Sequence, residues 1–482
     1  MKIQKNLIQT CPLMLALLCA LTAGAQPVVT QIAAGGNHSL FLKTDGSLWV
    51  MGDNTYGQLG DKSTDSGNFF TNRPEQILPS GVIAIAAGGN HSLFVKSDGS
   101  LWVMGDDTYG QLGDGHVYGV NGYLGTNTPE QITVASNVTA VAAGSSHSLF
   151  RESDGSLWAM GLNSSGQLGD GTTNNSLVPE KIVPSGVLKI AAGDAFSLFT
   201  ARHNTGILTT TELWTMGDNT YGQLGNGNGY SDYTNVPVKI LSSMLLLDAV
   251  ITIAGGSTHS LLIKGDGSLW AMGYNHYGQL GDGTVDPGLY NSTNLPELIV
   301  SSNVTAIAGG STVSFLVKGD GSLWGMGSTY VGQLGNGSYT EGGDTNRPEL
   351  IVSNNVTAVA SRGGHTLFIE GGSLWGMGLN TSGQLGDGNP NDFETNRPIL
   401  IVTGTPGYNL ISAQLVNDGS GRLSLPFVGI PGTNYALERS FSLISPSWVA
   451  QTTNTAGAGG VLTFTNAPNA ATNNYWRIRS VP

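Results

Sequence analysis

The sequence predicts an all-β fold, a seven-bladed β-propeller followed by a small C-terminal β-sandwich, and three observations predict it. Seven times a Leu-Trp-x-Met-Gly is followed, four residues later, by Gly-Gln-Leu-Gly. The tryptophans of that phrase, Trp49, Trp102, Trp158, Trp214, Trp270, Trp324 and Trp375, recur every 51 to 56 residues, a period that belongs to radially repeated supersecondary units. Glycine supplies 71 of the 482 residues without the every-third-residue period of collagen, so it marks turns between short strands. A unit of this size cannot bury its own apolar face. Units closed into a ring bury one another's faces and leave few strand edges exposed.

Lys2 and Lys5 precede an apolar run at 13–21 that ends in Ala23-Gly24-Ala25. Residues 1–25 therefore read as a secretory signal peptide, too short for a stable membrane span. Bulky Leu18 ahead of Cys19 speaks against a lipid-attachment signal. The expected location is extracellular or at the cell surface, with the periplasm as the other exported compartment. Cleavage after Ala25 removes Cys11 and Cys19, the only cysteines, which excludes disulfides, zinc–thiolate sites and cysteine catalysis. It also removes Lys2 and Lys5, moving the formal charge from −13 to −15. With an acidic surface and no Lys/Arg cluster, nucleic acid is excluded as a partner.

The propeller is expected over 26–404, and its first repeat shows how each blade is built. Ile32-Ala33-Ala34-Gly35 is a short apolar strand and His38-Ser39-Leu40-Phe41-Leu42 the next. Asp45-Gly46 supplies the positive-φ pair of a tight hairpin, and Leu48-Trp49-Val50-Met51 forms the third strand. After Gly57-Gln58-Leu59-Gly60 comes a polar loop, and Pro74 opens a fourth strand at Pro74-Glu75-Gln76-Ile77-Leu78, since proline at a strand's first residue or on an edge costs no ladder bond.

The phrase Ile32-Ala33-Ala34-Gly35-Gly36-Asn37-His38-Ser39-Leu40-Phe41-Leu42, with Gly-Gln-Leu-Gly and the later Pro-Glu, resembles the repeat of the regulator of chromosome condensation family. The likeness covers about 28–404, and a secreted bacterial member fits best. It implies a seven-bladed propeller but no single function: the founder is a nuclear nucleotide-exchange factor, and a secreted relative of similar shape inhibits β-lactamases. This chain departs by placing Met51, Met104, Met160, Met216, Met272, Met326 and Met377 where the family often has a second Trp. Methionine fills irregular gaps between sheets, so packing changes more than fold.

His38, His91, His147, His259 and His365 occupy one repeat position, with Phe196 and Val313 in its place in blades four and six. They are either a ring of ligands or hydrogen bonds that lock the blades. Spacing favours the second, because face-packed sheets lie ~10 Å apart while zinc needs ligands at ~2.0 to 2.1 Å. The Gln residues from Gln58 to Gln384 are expected to tie loops together. Asp-Gly pairs after Gly-Gln-Leu-Gly suit turns and lack the oxygen-ligand spacing of a calcium loop. No nucleophile elbow, phosphate loop or zinc helix occurs, so no catalytic residue, metal ligand or cofactor is assigned.

Between Gly-Gln-Leu-Gly and the fourth strand the loops vary in length, and equivalent loops of a propeller emerge together as one composite surface. Their aromatics, Phe69, Phe70, Tyr118, Tyr123, Tyr230, Tyr233, Tyr290, Tyr339 and Phe393, sit among Asp, Asn, Ser and Gly. They either form a recognition surface or pack their own loops. In blade four the hairpin from Phe199 to Trp214 is seven residues longer than from Phe41 to Trp49, an insertion near 202–208 that protrudes as a wedge or is a tolerated loop. After a Gly/Pro linker, 405–482 shows short alternating runs at 411–416, 422–427, 435–439, 448–451, 461–465 and 475–478, the cadence of a β-sandwich. It resembles small C-terminal modules of large secreted bacterial proteins. The expected function is binding of a protein or a glycan by the loop face. The alternative is an extracellular polysaccharide hydrolase or lyase, and nucleotide exchange stands third. A carboxylate or His pair in a pocket would favour the enzyme, and a broad aromatic surface the binder.

Overall fold

The computed structural model describes residues 27–62, 70–116, 125–204, 209–228, 232–243, 247–285, 293–339, 344–389 and 394–404, together with the C-terminal strands. Residues 1–25, assigned to the signal peptide, lie outside the described residues. Residues Pro27–Gly404 form one compact unit of seven four-stranded antiparallel sheets. Blade 1 comprises β1 (Val29–Ala34), β2 (His38–Lys43), β3 (Leu48–Asp53) and β4 (Phe70–Leu78), paired in that order. Blades 2 to 7 repeat the order over 82–131, 138–183, 187–243, 250–300, 304–352 and 356–402. First strands of neighbouring blades meet around the axis and fourth strands lie at the rim.

Each blade is made whole from consecutive strands, so the ring closes between two complete blades and no strand is shared. The closing seam is an ordinary inter-blade contact. Val29, Phe41 and Met51 of blade 1 pack with Leu367, Ile369 and Leu374 of blade 7, much as Leu40, Val50 and Leu59 pack with Val82, Phe94 and Met104 one blade on. Across it the Val29 amide donates to the Gly372 carbonyl at 3.0 Å.

Apolar patterning explains these interfaces. The alternating Leu and Phe of β2 are all buried because both faces of an inner strand meet a neighbouring blade. The repeat methionine crosses each seam: Met104 Sδ would lie 2.4 Å from a Cβ placed on Gly60. The final glycine of Gly-Gln-Leu-Gly thus leaves the space that the next blade's methionine fills. On the blade's outer part Trp49 stacks beside Phe41 with centroids 6.0 Å apart, and the Lys43 ammonium lies 4.2 Å from the Trp49 ring.

The fourth strand starts earlier than its proline suggests. In blade 1 it opens at Phe70, and the pairing slips between Val50↔Glu75 and Gly52↔Thr71. Pro74 sits inside a bulge on the rim strand, where its missing N–H interrupts no inner ladder, and Thr71 Oγ1 donates to the Arg73 carbonyl at 2.9 Å to hold the turn. The blade 4 insertion extends its hairpin: Phe196–Asn204 and Thr209–Asp218 continue pairing through Ala201↔Glu212 to Asn204↔Thr209. Residues 205–208 lie outside the described residues.

The C-terminal strands form a separate unit of two antiparallel sheets. Leu423–Val428 is flanked by Leu410–Ile411, Val416–Asn417 and Val461–Asn466, and Asn434–Ser440 lies between Val449–Thr455 and Tyr475–Val481. The run expected at 411–416 is two short strands. Among the described residues no helix is long and apolar enough to cross a membrane.

Candidate functional site

Because each blade's strands alternate in direction, two kinds of connection meet at one end of the ring. These are the tight turns between first and second strands, near the axis, and the variable loops between third and fourth strands. The Asp-Gly hairpins, the blade 4 extension and the blade-to-blade links lie at the other end.

Beneath the loop end runs a girdle of buried polar groups. The Ser or Thr after each repeat histidine position donates its hydroxyl to the carbonyl of the preceding blade's Gln, at 2.7–3.0 Å in all seven seams. Each Gln Oε1 accepts the backbone N–H two residues earlier at 2.8–3.0 Å. His38, His91, His147, His259 and His365 place Nε2 2.8–3.0 Å from the next blade's Ser Oγ. That hydroxyl has given its proton to a carbonyl, so the imidazole donates from Nε2 and Nδ1 is left as a bare acceptor. Burial holds these imidazoles neutral, His38 and His147 down to about 3 and His259 and His365 to about 4, with His91 also well below its ordinary value. The Arg362 charge adds to the effect on His38, His91 and His147. Among the described residues no group of three or more His, Cys, Asp or Glu is placed to hold a metal ion.

At the axis, blade 7 breaks the pattern. Where other blades have Gly35, Gly88, Gly144, Gly193, Gly256 and Gly310 it has Arg362, on a turn that takes a different path through Gly363 at φ +56°. The guanidinium crosses the ring to donate to Asp194 Oδ1 of blade 4 at 2.7 Å and to the Ala143 carbonyl of blade 3 at 3.1 Å. Asp194 is itself a departure, replacing Gly or Ser of the other blades. Together they strap the loop end of the axis.

Blade 2 departs at a buried loop base. Asn54, Asn163, Asn219, Asn275 and Asn380 accept the N–H of the repeat leucine and donate Nδ2 to an Asp or Asn seven residues on. In blade 2 that residue is Asp107, 1% exposed, which accepts from Leu112 N at 2.8 Å. Burial, with Asp114, Asp106 and Glu130 nearby, pushes its carboxyl up to about 7 despite the Leu112 bond.

A cleft of about 560 Å³ opens at the loop end over blades 5 to 7. Its rings are His276, Tyr277 and Tyr330, and Thr312, Ser328 and Gln333 add neutral polar groups. Asp344, which accepts the Thr329 N–H at 3.3 Å, also lines it. Tyr274 backs the rings, 4.6 Å from Tyr221 and 5.9 Å from His276 between centroids, and Tyr277 stands edge-on to His276 at 4.8 Å. Burial and the neighbouring Tyr277 and Tyr221 raise the Tyr274 hydroxyl above its ordinary value. In blades 1, 2 and 4 the position of His276 and Tyr330 is Thr55, Thr108 or Thr220, whose hydroxyl donates to Asp53, Asp106 or Asp218 at 2.5–2.6 Å. Blades 3 and 7 have Leu162–Ser164 and Leu379–Thr381 at these positions, and blades 5 and 6 have Tyr274–His276 and Ser328–Tyr330.

Of the loop aromatics singled out from sequence, Phe69, Tyr118, Tyr123, Tyr230, Tyr290 and Phe393 lie outside the described residues. Phe70 and Tyr233 begin fourth strands at the rim and are exposed, while exposed Tyr339 donates its hydroxyl to the Glu394 carbonyl at 3.2 Å across to blade 7. None of these three lines the cleft. The cleft rings precede Gly-Gln-Leu-Gly, outside the variable loops that the sequence singles out. Laying the seven copies over one another two residues before that phrase, where Thr or Ser gives way to His276 and Tyr330, would have found them.

A ring of whole blades with this Gln–Ser girdle defines a propeller class, and the comparisons name it. A model of the RCC1-like domain matches residues 19–240, and models of the regulator of chromosome condensation (RCC1) repeat match 266–317 and 250–279. The repeats belong to that RCC1 family. The ultraviolet-B receptor UVR8 of Arabidopsis thaliana is 28% identical over 407 residues, covering 81% of this chain and 86% of its own. The regulator of chromosome condensation of Xenopus laevis is 28% identical over 364 residues, covering 71% and 81%. Among solved structures, human WBSCR16 superposes with a TM-score of 0.60 at 24% identity over 71% of this chain and 87% of its own. Yeast RCC1 (Prp20), solved bound to Kap60, gives 0.58 at 23% over 70% and 78%. These two likenesses concern the fold.

Proposed function

We propose that this chain is an exported binding scaffold whose rigid ring presents its loop end to a protein partner. The observation that supports it most is the cleft over blades 5 to 7, where the repeat has given up a self-satisfied Asp–Thr turn for Tyr274, His276 and Tyr330. Tyr274, His276 and Tyr277 pack on one another, but Tyr330, 61% exposed, replaces a structural hydrogen bond with a ring open to solvent. The rings supply the large, low-entropy contact area from which recognition surfaces are built. Export rests on the N-terminal Lys2/Lys5 and apolar run.

The rival enzyme reading has less support. Glycoside hydrolysis needs two carboxyl groups flanking the bond, and Asp344 is the one carboxylate among the described lining residues. The buried histidines are held neutral and spent on seam hydrogen bonds. That yeast RCC1 was solved bound to Kap60 supports, for this chain, only the idea that a protein of this fold has a protein partner. The test is retention of surface proteins and glycans on immobilised residues 26–482, with released product scored alongside. Retention of protein that is lost in Tyr277→Ala/Tyr330→Ala while the melting temperature holds supports the scaffold. Release of product from a glycan would replace it with the enzyme.

A further inference from the structure

We infer that the cleft over blades 5 to 7 receives an arginine side chain of the partner, its guanidinium stacked against the Tyr277 and Tyr330 rings and paired with the Asp344 carboxylate. This rests on the reading that the loop end binds a protein, and it names the anchor of that contact.

Three features of the cleft point to a planar cation. The first is charge. Among the described lining residues Asp344 brings the formal negative charge and there is no Lys or Arg, and the whole chain carries −13. Arg362, next to the lining Gly363 and Gly364 in sequence, is committed to Asp194 and the Ala143 carbonyl on blades 4 and 3. A cation approaching the loop end is thus drawn in by the overall field and meets an uncompensated carboxylate in the cleft.

The second is the rings. Tyr330 is 61% exposed and projects from a position that is Thr or Ser in five blades, and Tyr277 is half-buried beside it in the same cleft. Aromatic faces attract cations, and a planar guanidinium stacks on them as the tetrahedral ammonium of lysine does not. The third is the supply of acceptors. A guanidinium has five N–H donors. Asp344 can take two in a fork, and the Ser328 and Thr312 hydroxyls and the Gln333 side-chain oxygen line the same space. Each already accepts one hydrogen bond within the ring and keeps a lone pair for a further donor; an apolar side chain supplies none, and an acidic one would face Asp344.

The experiment is calorimetric titration of mature 26–482 with two capped peptides, acetyl-Gly-Ser-Arg-Gly-Ser-amide and the same peptide with citrulline, the neutral isostere of arginine. The arginine peptide should bind at least about ten-fold tighter, and the difference should shrink between about 20 and 200 mM salt. Asp344→Asn keeps an oxygen for the Thr329 N–H, so it should fold normally and bring the two peptides within about two-fold of each other. Tyr330→Ala, at an exposed site, should weaken the arginine peptide alone. Equal binding of both peptides, or a neutral oligosaccharide that binds while the arginine peptide does not, overturns the inference. If partner protein is still captured through Tyr277 and Tyr330 in Asp344→Asn, the scaffold reading stands and only the cationic anchor falls.

Discussion

Acidification should unfold the propeller through its own girdle. His38, His91, His147, His259 and His365 are fully buried and neutral in the ring, with folded values near 3 to 4 where they are fixed. In the unfolded chain each titrates near ~6.5. Below that pH the unfolded state binds protons that the folded state refuses, so stability is full above about pH 7 and falls as pH drops toward the folded values. Each unit of pH costs ~1.4 kcal/mol per histidine, so between pH 6.5 and 5 the five together cost on the order of 10 kcal/mol. Asp107 acts oppositely. Held at about 7 against an ordinary 3.8, it destabilises most above pH 7 and returns ~3 kcal/mol on going down to pH 5. The net loss is therefore roughly 7 kcal/mol, comparable with the whole stability of many domains. Urea unfolding followed by tryptophan fluorescence at half-unit steps from pH 7.5 to 5 would measure it. The sharper control comes from the protein itself: blade 4 carries Phe196 in the histidine's place, with Ser197 still donating to the Gln167 carbonyl at 2.8 Å. His147→Phe should lower the slope of stability against pH by one proton. A stability that is flat from pH 7 to 5, or a slope unchanged in His147→Phe, would refute the argument that these imidazoles are buried and neutral.

Other consequences follow from single departures in the repeat. Asp107→Asn restores the residue of five other blades and should stabilise the ring by up to ~4 kcal/mol at pH 8 and by little at pH 4, read by urea midpoints at the two pH values; an equal effect at both would sink it. Arg362→Met removes the axial strap with its charge-assisted hydrogen bonds, and because Asp194 is partly exposed the loss should be only about 1–2 kcal/mol, seen as a lower melting temperature with the far-UV spectrum unchanged. Gly386→Ala puts a Cβ 2.3 Å from Met51 Sδ at φ +65°, on the closing seam, and should cost about 2–4 kcal/mol; a neutral result would mean that the seam is looser than the other six. Trimming 203–210 to an Asp-Gly turn acts on the end opposite the cleft, and partner retention should be unchanged.

Much of the ring was legible because its determinants are local and repeated. The Trp-to-Trp period gives the blade, Asp45-Gly46 gives the hairpin, and Met51 and its equivalents were rightly placed between sheets because a flexible thioether suits an irregular gap. The bland role of the histidines followed from spacing alone. What escaped was anything defined by one blade against the rest. Arg362 and Asp194 are 168 residues apart, and nothing local marks them as partners; they show only as departures in two neighbouring repeat columns, one of Gly and one of Gly or Ser. The start of the fourth strand was misplaced because Pro74 looked like a beginning. On a rim strand the lost N–H faces no inner neighbour, so the strand runs through it with a bulge. The loop aromatics come from the variable segments after Gly-Gln-Leu-Gly, where Asp344 of the cleft also lies, whereas the cleft rings His276, Tyr277 and Tyr330 come just before it, on backbone that the Gln side chains pin.

A seven-fold repeat is its own control experiment. Positions that all seven copies keep, such as the Gln whose carbonyl takes the next blade's hydroxyl and the Met that fills the glycine's space, are each accounted for by a seam contact. Selection for the ring explains them without any partner. Two groups of departures differ in what they do to the bonds they replace. Arg362 and Asp194 lose nothing, because each finds the other, so they belong to the architecture. Tyr274, His276 and Tyr330 replace a turn bond of 2.5–2.6 Å in blades 1, 2 and 4 with rings around an open cleft. A change that gives up a satisfied local interaction and gains exposed contact area lowers foldability unless something outside the chain occupies that area. By that reasoning the loop end over blades 5 to 7 is a place on this ring where a partner explains what the architecture does not.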